Sequence, residues 1–202
     1  MKVLVLYYST FGNIFDMARL VAEGVESVDG AEPVLRTVPE LMPEEVINGN
    51  EGMKAGRERQ KDIPLVTDDD FREAGAFAFG TPTRFGNMAA QLKNRIDQVS
   101  ALWMEGVFED KPAGMFVSTA SLHGGQEATI SSSLGPLMHL GMIPVGLPYS
   151  NQELFTTQGG GSPYGPGHVA GGNNDRPIDD EEAALCRALG TRLARIGLKL
   201  SA

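Results

Sequence analysis

Val3-Leu4-Val5-Leu6-Tyr7-Tyr8 is an unbroken run of apolar, β-favouring residues, the pattern of a strand buried on both faces of a parallel sheet. Beyond the small polar loop Ser9–Asn13, apolar residues recur at Ile14, Met17, Ala18, Val21 and Val25, a helical spacing. The first unit is therefore strand, tight loop, helix. Pro33 to Val38 predicts a second strand, which Pro39 closes. Ala74 to Phe79 predicts a third, leading through Gly80-Thr81-Pro82-Thr83 into a helix with Ala89, Leu92, Ile96 and Val99 on one face. Ala113 to Ser118 predicts a fourth, followed by the loop Thr119–Gly125 and a helix reaching His139. Met142 to Leu147 predicts the fifth. Asp179 opens the last helix, with Glu182 three residues on in a capping-box arrangement and Leu185, Leu189, Leu193 and Ile196 on its apolar side.

Five β-α units in succession predict an α/β fold, a doubly wound five-stranded parallel sheet with helices on both faces. The whole of 1–202 reads as one domain, with polar or Gly-rich excursions at 40–70 and 148–176. Right-handed crossovers gather the carboxyl ends of the strands at one edge, where ligands bind at the topological switch point. The loops after the first, third and fourth strands meet there.

Composition narrows the partners. A formal charge of -9 over 202 residues argues against binding a phosphate backbone, and no basic recognition helix or zinc-finger spacing is present. The basic run Lys54–Lys61 also carries Glu58 and reads as a solvated loop or short helix. Cys186 is the only cysteine, so no intramolecular disulfide and no Cys-rich metal site is possible; within an apolar helix it reads as a buried, inert thiol. The run Val3–Tyr8 is too short to span a membrane and lacks a small-residue cleavage site, so a cytoplasmic protein is expected.

Three loops carry the candidate chemistry. Ser9-Thr10-Phe11-Gly12-Asn13 offers hydroxyls and successive N–H groups at a helix N-terminus, which suit a phosphate monoester. An ordinary β-α turn favours the same residues, and neither a dinucleotide fingerprint nor a P-loop is present. Thr81-Pro82-Thr83-Arg84-Phe85-Gly86-Asn87 packs hydroxyls, a cation and an aromatic ring into one turn. That set suits a flat heterocycle needing backbone donors, a positive charge and an apolar contact. Ser118-Thr119-Ala120-Ser121-Leu122-His123 adds further hydroxyls, and His123 by residue type alone is a solvated loop histidine.

Gly80-Thr81-Pro82-Thr83-Arg84-Phe85-Gly86-Asn87 resembles the corresponding block of the WrbA family, as do Leu4-Tyr7-Tyr8-Ser9, Ser121–Glu127, Gly161–Gly165 and Ala170–Gly172. The similarity runs nearly the full length of the chain. It implies a flavodoxin-like fold and a tetrameric, FMN-dependent NAD(P)H:quinone oxidoreductase. Under the resemblance Ser9, Thr10, Phe11, Gly12, Asn13 and Ile14 hold the FMN phosphate. Thr83, Arg84 and Phe85 line the isoalloxazine, and Ser118 to His123 add a wall. His139 matches a histidine near the flavin, and Trp103 an aromatic covering the substrate side, across a subunit interface. Without the resemblance, Trp103 reads as core packing and His139 as a satisfied helix-end histidine. Phe11 stands where many members have Tyr, a residue associated with the nicotinamide cofactor, and Asn13 where some have His.

The implied reaction uses the flavin for redox and NADH or NADPH as co-substrate, with no side-chain nucleophile and no metal. The alternative of the same fold is a single-electron carrier, which the acidity suits. The two long excursions, absent from a minimal carrier, favour the reductase.

Overall fold

The computed structural model describes residues 1–201. Strands β1 (Lys2–Tyr7), β2 (Glu32–Thr37), β3 (Ala74–Pro82), β4 (Pro112–Thr119) and β5 (Ile143–Pro144) form one parallel sheet in the order β2-β1-β3-β4-β5. A further strand, β6 (Gly167–Val169), also pairs with β4. The order reverses beside β1, between β1 and β3, which is the switch point that the doubly wound pattern requires.

The apolar runs form the central strands because both faces are covered. Val3 to Tyr7 have no solvent exposure, and their side chains alternate between two cores. Leu4, Leu6, Phe77, Phe79 and Met115 pack on one face under α5 (Ala90–Asp97), α6 (Ser100–Met104) and α7 (Gln126–His139). Val3, Val5, Ala76, Ala78 and Phe116 pack on the other under α1 (Asn13–Glu26) and α9 (Asp180–Leu200). Asp179 and Glu182 form the expected reciprocal capping box at the start of α9. Cys186 is fully buried, and burial pushes its thiol well above the ordinary range, as an inert packing role requires.

α1 and α9 touch backbone to backbone. A Cβ at Gly190 would stand 2.0 Å from the Val21 carbonyl oxygen, and one at Gly24 2.1 Å from that of Arg187. Backbone cannot step aside as a flexible side chain can. Gly190→Ala is therefore expected to lower stability by about 1–3 kcal/mol, the usual cost of overpacking, read as a reduced urea midpoint at unchanged slope.

The fifth strand departs from expectation. Of Met142–Leu147 only Ile143 and Pro144 join the ladder with β4. The Val145 N–H still donates to the Ala113 carbonyl at 2.8 Å, but the Leu147 N–H turns to the Pro163 carbonyl, also at 2.8 Å, and that carbonyl occupies the space a side chain at Gly146 would take. The chain leaves the sheet there, folds α8 (Glu153–Thr156), and returns as β6 to complete the same edge. The excursion at 40–70 is largely helical, with α2 (Glu44–Asn48), α3 (Glu51–Arg59) and the start of α4 (Asp68–Glu73). The basic run from Lys54 thus lies mostly in α3.

Candidate active site

The loop after β1 is built by its own residues and pinned from outside. Ser9 Oγ accepts a hydrogen bond from the Gly12 N–H at 3.1 Å, and Gly12 has φ +98°, in the left-handed region. Gln60 at the end of α3 donates to the Ser9 carbonyl at 3.0 Å. Gly56 lies flat on the loop, where a Cβ would be 2.7 Å from the Phe11 carbonyl carbon. The excursion is thus the clamp that shapes this loop. No side chain caps α1, so the N–H groups of its first turn point free at the loop's inner side.

Just before the loop, the Tyr8 hydroxyl donates to Glu40 at 2.9 Å and accepts from Gln91 at 3.1 Å. Burial, with Glu40 adding to it, pushes the Tyr8 hydroxyl above its ordinary range. Burial opposes charge on Glu40, but the Met42 N–H, Gln91, Tyr8 and the Leu41 N–H together hold its carboxyl below the usual value. The network anchors the end of β1 to the excursion.

The second loop is a tight turn. Arg84 and Asn87 exchange backbone hydrogen bonds at 2.8 and 3.1 Å, with Phe85 at φ +54° and Gly86 at φ +79° between them, as a type I′ turn requires. Arg84 reaches back to donate to Thr10 Oγ1 and to the Thr83 carbonyl, each at 2.9 Å. It thereby bridges the first and second loops. Thr83 Oγ1 sits 2.7 Å from Thr129 Oγ1 of α7. The third loop is tied down by Thr119, which donates to the Ser121 carbonyl at 2.8 Å.

One cleft of about 190 Å³ collects Ser9, Thr10, Phe11, Asn13, Ile14, Pro82, Thr83, Arg84, Ser118, Thr119 and Ala120 from all three loops. Asn174, at φ +56°, joins them from the Gly-rich excursion, and its Oδ1 accepts from Asn13 Nδ2 at 3.3 Å. Sequence reasoning missed Asn174, because an Asn in the polar loop Gly171-Gly172-Asn173-Asn174-Asp175 carries no signal of what it folds over. The lining has five hydroxyls and one cation, and no carboxylate.

Other expected residues lie elsewhere. Thr81 is fully buried and turned inward, accepting from the Ala89 N–H at 2.8 Å and donating to the Pro82 carbonyl. Phe85 is wholly exposed at the tip of its turn, and Gly86 and Asn87 complete that turn. Leu122 and His123 line a larger cleft, about 690 Å³, against Thr157–Gly161, while Ser121 is exposed between the two clefts. Trp103 and His139 both line a third cleft of about 580 Å³, with Lys93, Ile96, Ser100 and Pro136. That third cleft shares no residue with the first.

The family described as NADPH-dependent FMN reductase matches residues 1–155. A relative from Trichlorobacter lovleyi named NAD(P)H dehydrogenase (quinone) is 46% identical, covering 100% of this chain and 99% of its own. One of the same name from Syntrophobacter fumaroxidans is 45% identical, covering 100% and 99%. Among solved structures, a flavodoxin-type, WrbA-like protein from Agrobacterium tumefaciens superposes with TM-score 0.66 at 23% identity, covering 98% of each chain, a likeness of fold. Family match and full-length relatives agree with the resemblance read from the loops: the chain belongs to the NADPH-dependent FMN reductase family.

Proposed function

We propose that this protein binds FMN in the hydroxyl-lined cleft and catalyses the two-electron reduction of quinones by NAD(P)H. The observation that carries the reading is the lining itself. It combines an uncapped helix N-terminus, five hydroxyls and Arg84, with no carboxylate to repel an anion. That donor set fits a phosphate monoester joined to a polyol and a flat ring. Bound there, FMN would supply the redox chemistry that links hydride donation by NAD(P)H to two-electron reduction of the quinone.

The chain's own residues then have separable tasks. The first turn of α1, with Ser9 and Thr10, holds the phosphate. Arg84 draws the first two loops together and favours negative charge gathered at its end of the cleft. Thr83 and Ser118 to Ala120 wall the ring. Phe11 keeps an aromatic platform at the rim without the hydroxyl of a tyrosine. Trp103 and His139 stand on a different face, so in this reading they reach the flavin of a second copy. Trp103, Met104 and Met138 are exposed apolar side chains, which a neighbouring subunit would cover, and a homotetramer is the assembly this implies. No helix among the described residues is long and apolar enough to cross a membrane, and the cytoplasm is the compartment we assign.

Purified protein incubated with FMN is expected to show a bound-flavin absorbance spectrum that NADH bleaches and benzoquinone restores. Absence of any bound-flavin spectrum under saturating FMN would refute the reading. Trp103→Ala is expected to raise KM for the quinone about tenfold, the equivalent of one aromatic contact of about 1.4 kcal/mol, with a smaller change in kcat. An unchanged KM would remove Trp103 from the substrate side.

A further inference from the structure

A Cβ on Gly12, the N-cap of α1, would stand 2.6 Å from Arg59 Nη1, so the guanidinium at the end of α3 lies against the loop that precedes α1. Its Nη2 donates to Asp16 Oδ1, an ion pair between residues 43 apart in the chain. Its Cζ stands 5.9 Å from the centroid of the Phe15 ring. Arg19, one turn further along α1, lies over the same ring at 5.9 Å, but among the described residues Asp16 pairs only with Arg59.

Asp16 is the one carboxylate in the first turn of α1. It follows Gly12 by four residues, which places it one turn on, about 6 Å along the axis. An acidic side chain there ordinarily serves the positive end of the helix dipole, where the first N–H groups are free. Here that end is the candidate anion site. No side chain caps α1, and Asn13 and Ile14 of its first turn line the hydroxyl-rich cleft. Left unpaired, Asp16 would compete with a bound anion for the same positive end and repel it. Neither Asp16 nor Arg59 lines the cleft, so the pair bears on a ligand through the helix end and not by contact.

We propose that Arg59 is a positioning residue for the cofactor phosphate: by pairing with Asp16 it neutralises the carboxylate of the first turn and leaves the N–H end of α1 to the ligand. The consequence is specificity, since flavin that carries a phosphate gains from the pair and flavin without one does not. This role rests on the FMN reading and assigns a task to the excursion at 40–70 besides shaping the loop.

Dissociation constants for FMN and riboflavin, measured by flavin-fluorescence titration, test it in wild type, Arg59→Gln, Asp16→Asn and the double variant. Arg59→Gln is expected to weaken FMN binding about three- to tenfold, the effect of one uncompensated charge within a helical turn at a partly exposed site. Adding Asp16→Asn is expected to restore FMN affinity to within about twofold of wild type, and Asp16→Asn alone to match or exceed wild type. Riboflavin affinity should change less than about twofold throughout, and the FMN difference should narrow at about 1 M salt, where screening acts beyond ~3 Å. A parallel loss for riboflavin, or a double variant as weak as Arg59→Gln, overturns the proposal, because either marks Arg59 as a shaper of the loop alone. Inorganic phosphate gives a second readout in the flavin-free chain. It is expected to raise Tm more in wild type and the double variant than in Arg59→Gln, and equal shifts in all three also overturn the proposal. Wild type that binds no flavin at all defeats the functional reading instead, while the phosphate arm still tests Arg59.

Discussion

Glu182→Ala is expected to lower the free energy of unfolding by about 3–5 kcal/mol, the cost of removing one member of a buried ion pair. The carboxylate is the hub of its corner of the fold. Without it the buried His168 Nδ1–H and the Val169 N–H lose their acceptor, Arg176 keeps only Asp179 as a charged partner, and α9 loses half its capping box. The loss should appear as a lower urea midpoint, and a change under 1 kcal/mol would show the network to be dispensable. Glu182→Gln separates charge from packing. The folded carboxyl lies below its ordinary 4.5, so its stabilisation is complete above about pH 4.5 and is lost as pH falls through the folded value. The acid limb of the stability curve should therefore be shallower in Glu182→Gln than in wild type.

Gly12→Val is expected to weaken FMN binding by about ten- to hundredfold. Gly12 sits at φ +98°, where a β-branched residue is strained by about 1–3 kcal/mol, and every 1.4 kcal/mol is a factor of ten. A Cβ there would also stand 2.6 Å from Arg59 Nη1, in a guanidinium that pairs with Asp16 on the first turn of α1. The guanidinium can swing aside, but the strain at positive φ is relieved only by moving the loop off the helix N-terminus, which removes the N–H cradle. Equilibrium titration with FMN checks it, and affinity within twofold of wild type would place the phosphate elsewhere.

The central strands were legible in the sequence because burial on both faces leaves only apolar residues and glycine through residues 3–7 of β1, 74–79 of β3 and 112–117 of β4. The start of α9 was legible because a capping box is local chemistry. The fifth strand was misread for the opposite reason. Met142–Leu147 is apolar enough for a strand, but pairing depends on which partner each backbone group finds, and the distant Pro163 carbonyl takes the Leu147 N–H away from the sheet. Most of the three loops converged as their positions after β1, β3 and β4 dictate. Thr81 and Phe85 lie in the most distinctive motif, yet one faces inward and the other outward, because a motif fixes the path of the backbone and not the direction of each side chain. Asn174, His168 and the burial of Glu182 had no local signature. They come from the returning excursion, whose place is set by tertiary contacts.

The interrupted fifth strand also governs how the molecule behaves among copies of itself. A long flat strand at the rim of a sheet presents a row of unpaired N–H and C=O groups that recruits other chains into aggregates. Here that rim is two short pieces, Ile143–Pro144 and Gly167–Val169, with a proline ending the first and residues 145–166 arching out between them. At the opposite rim, β2 carries Pro33, and its last residue, Thr37, is bridged by Leu65. The same detour that delivers Asn174 to the cleft denies the sheet a templating edge, so edge protection and site construction draw on one segment of chain.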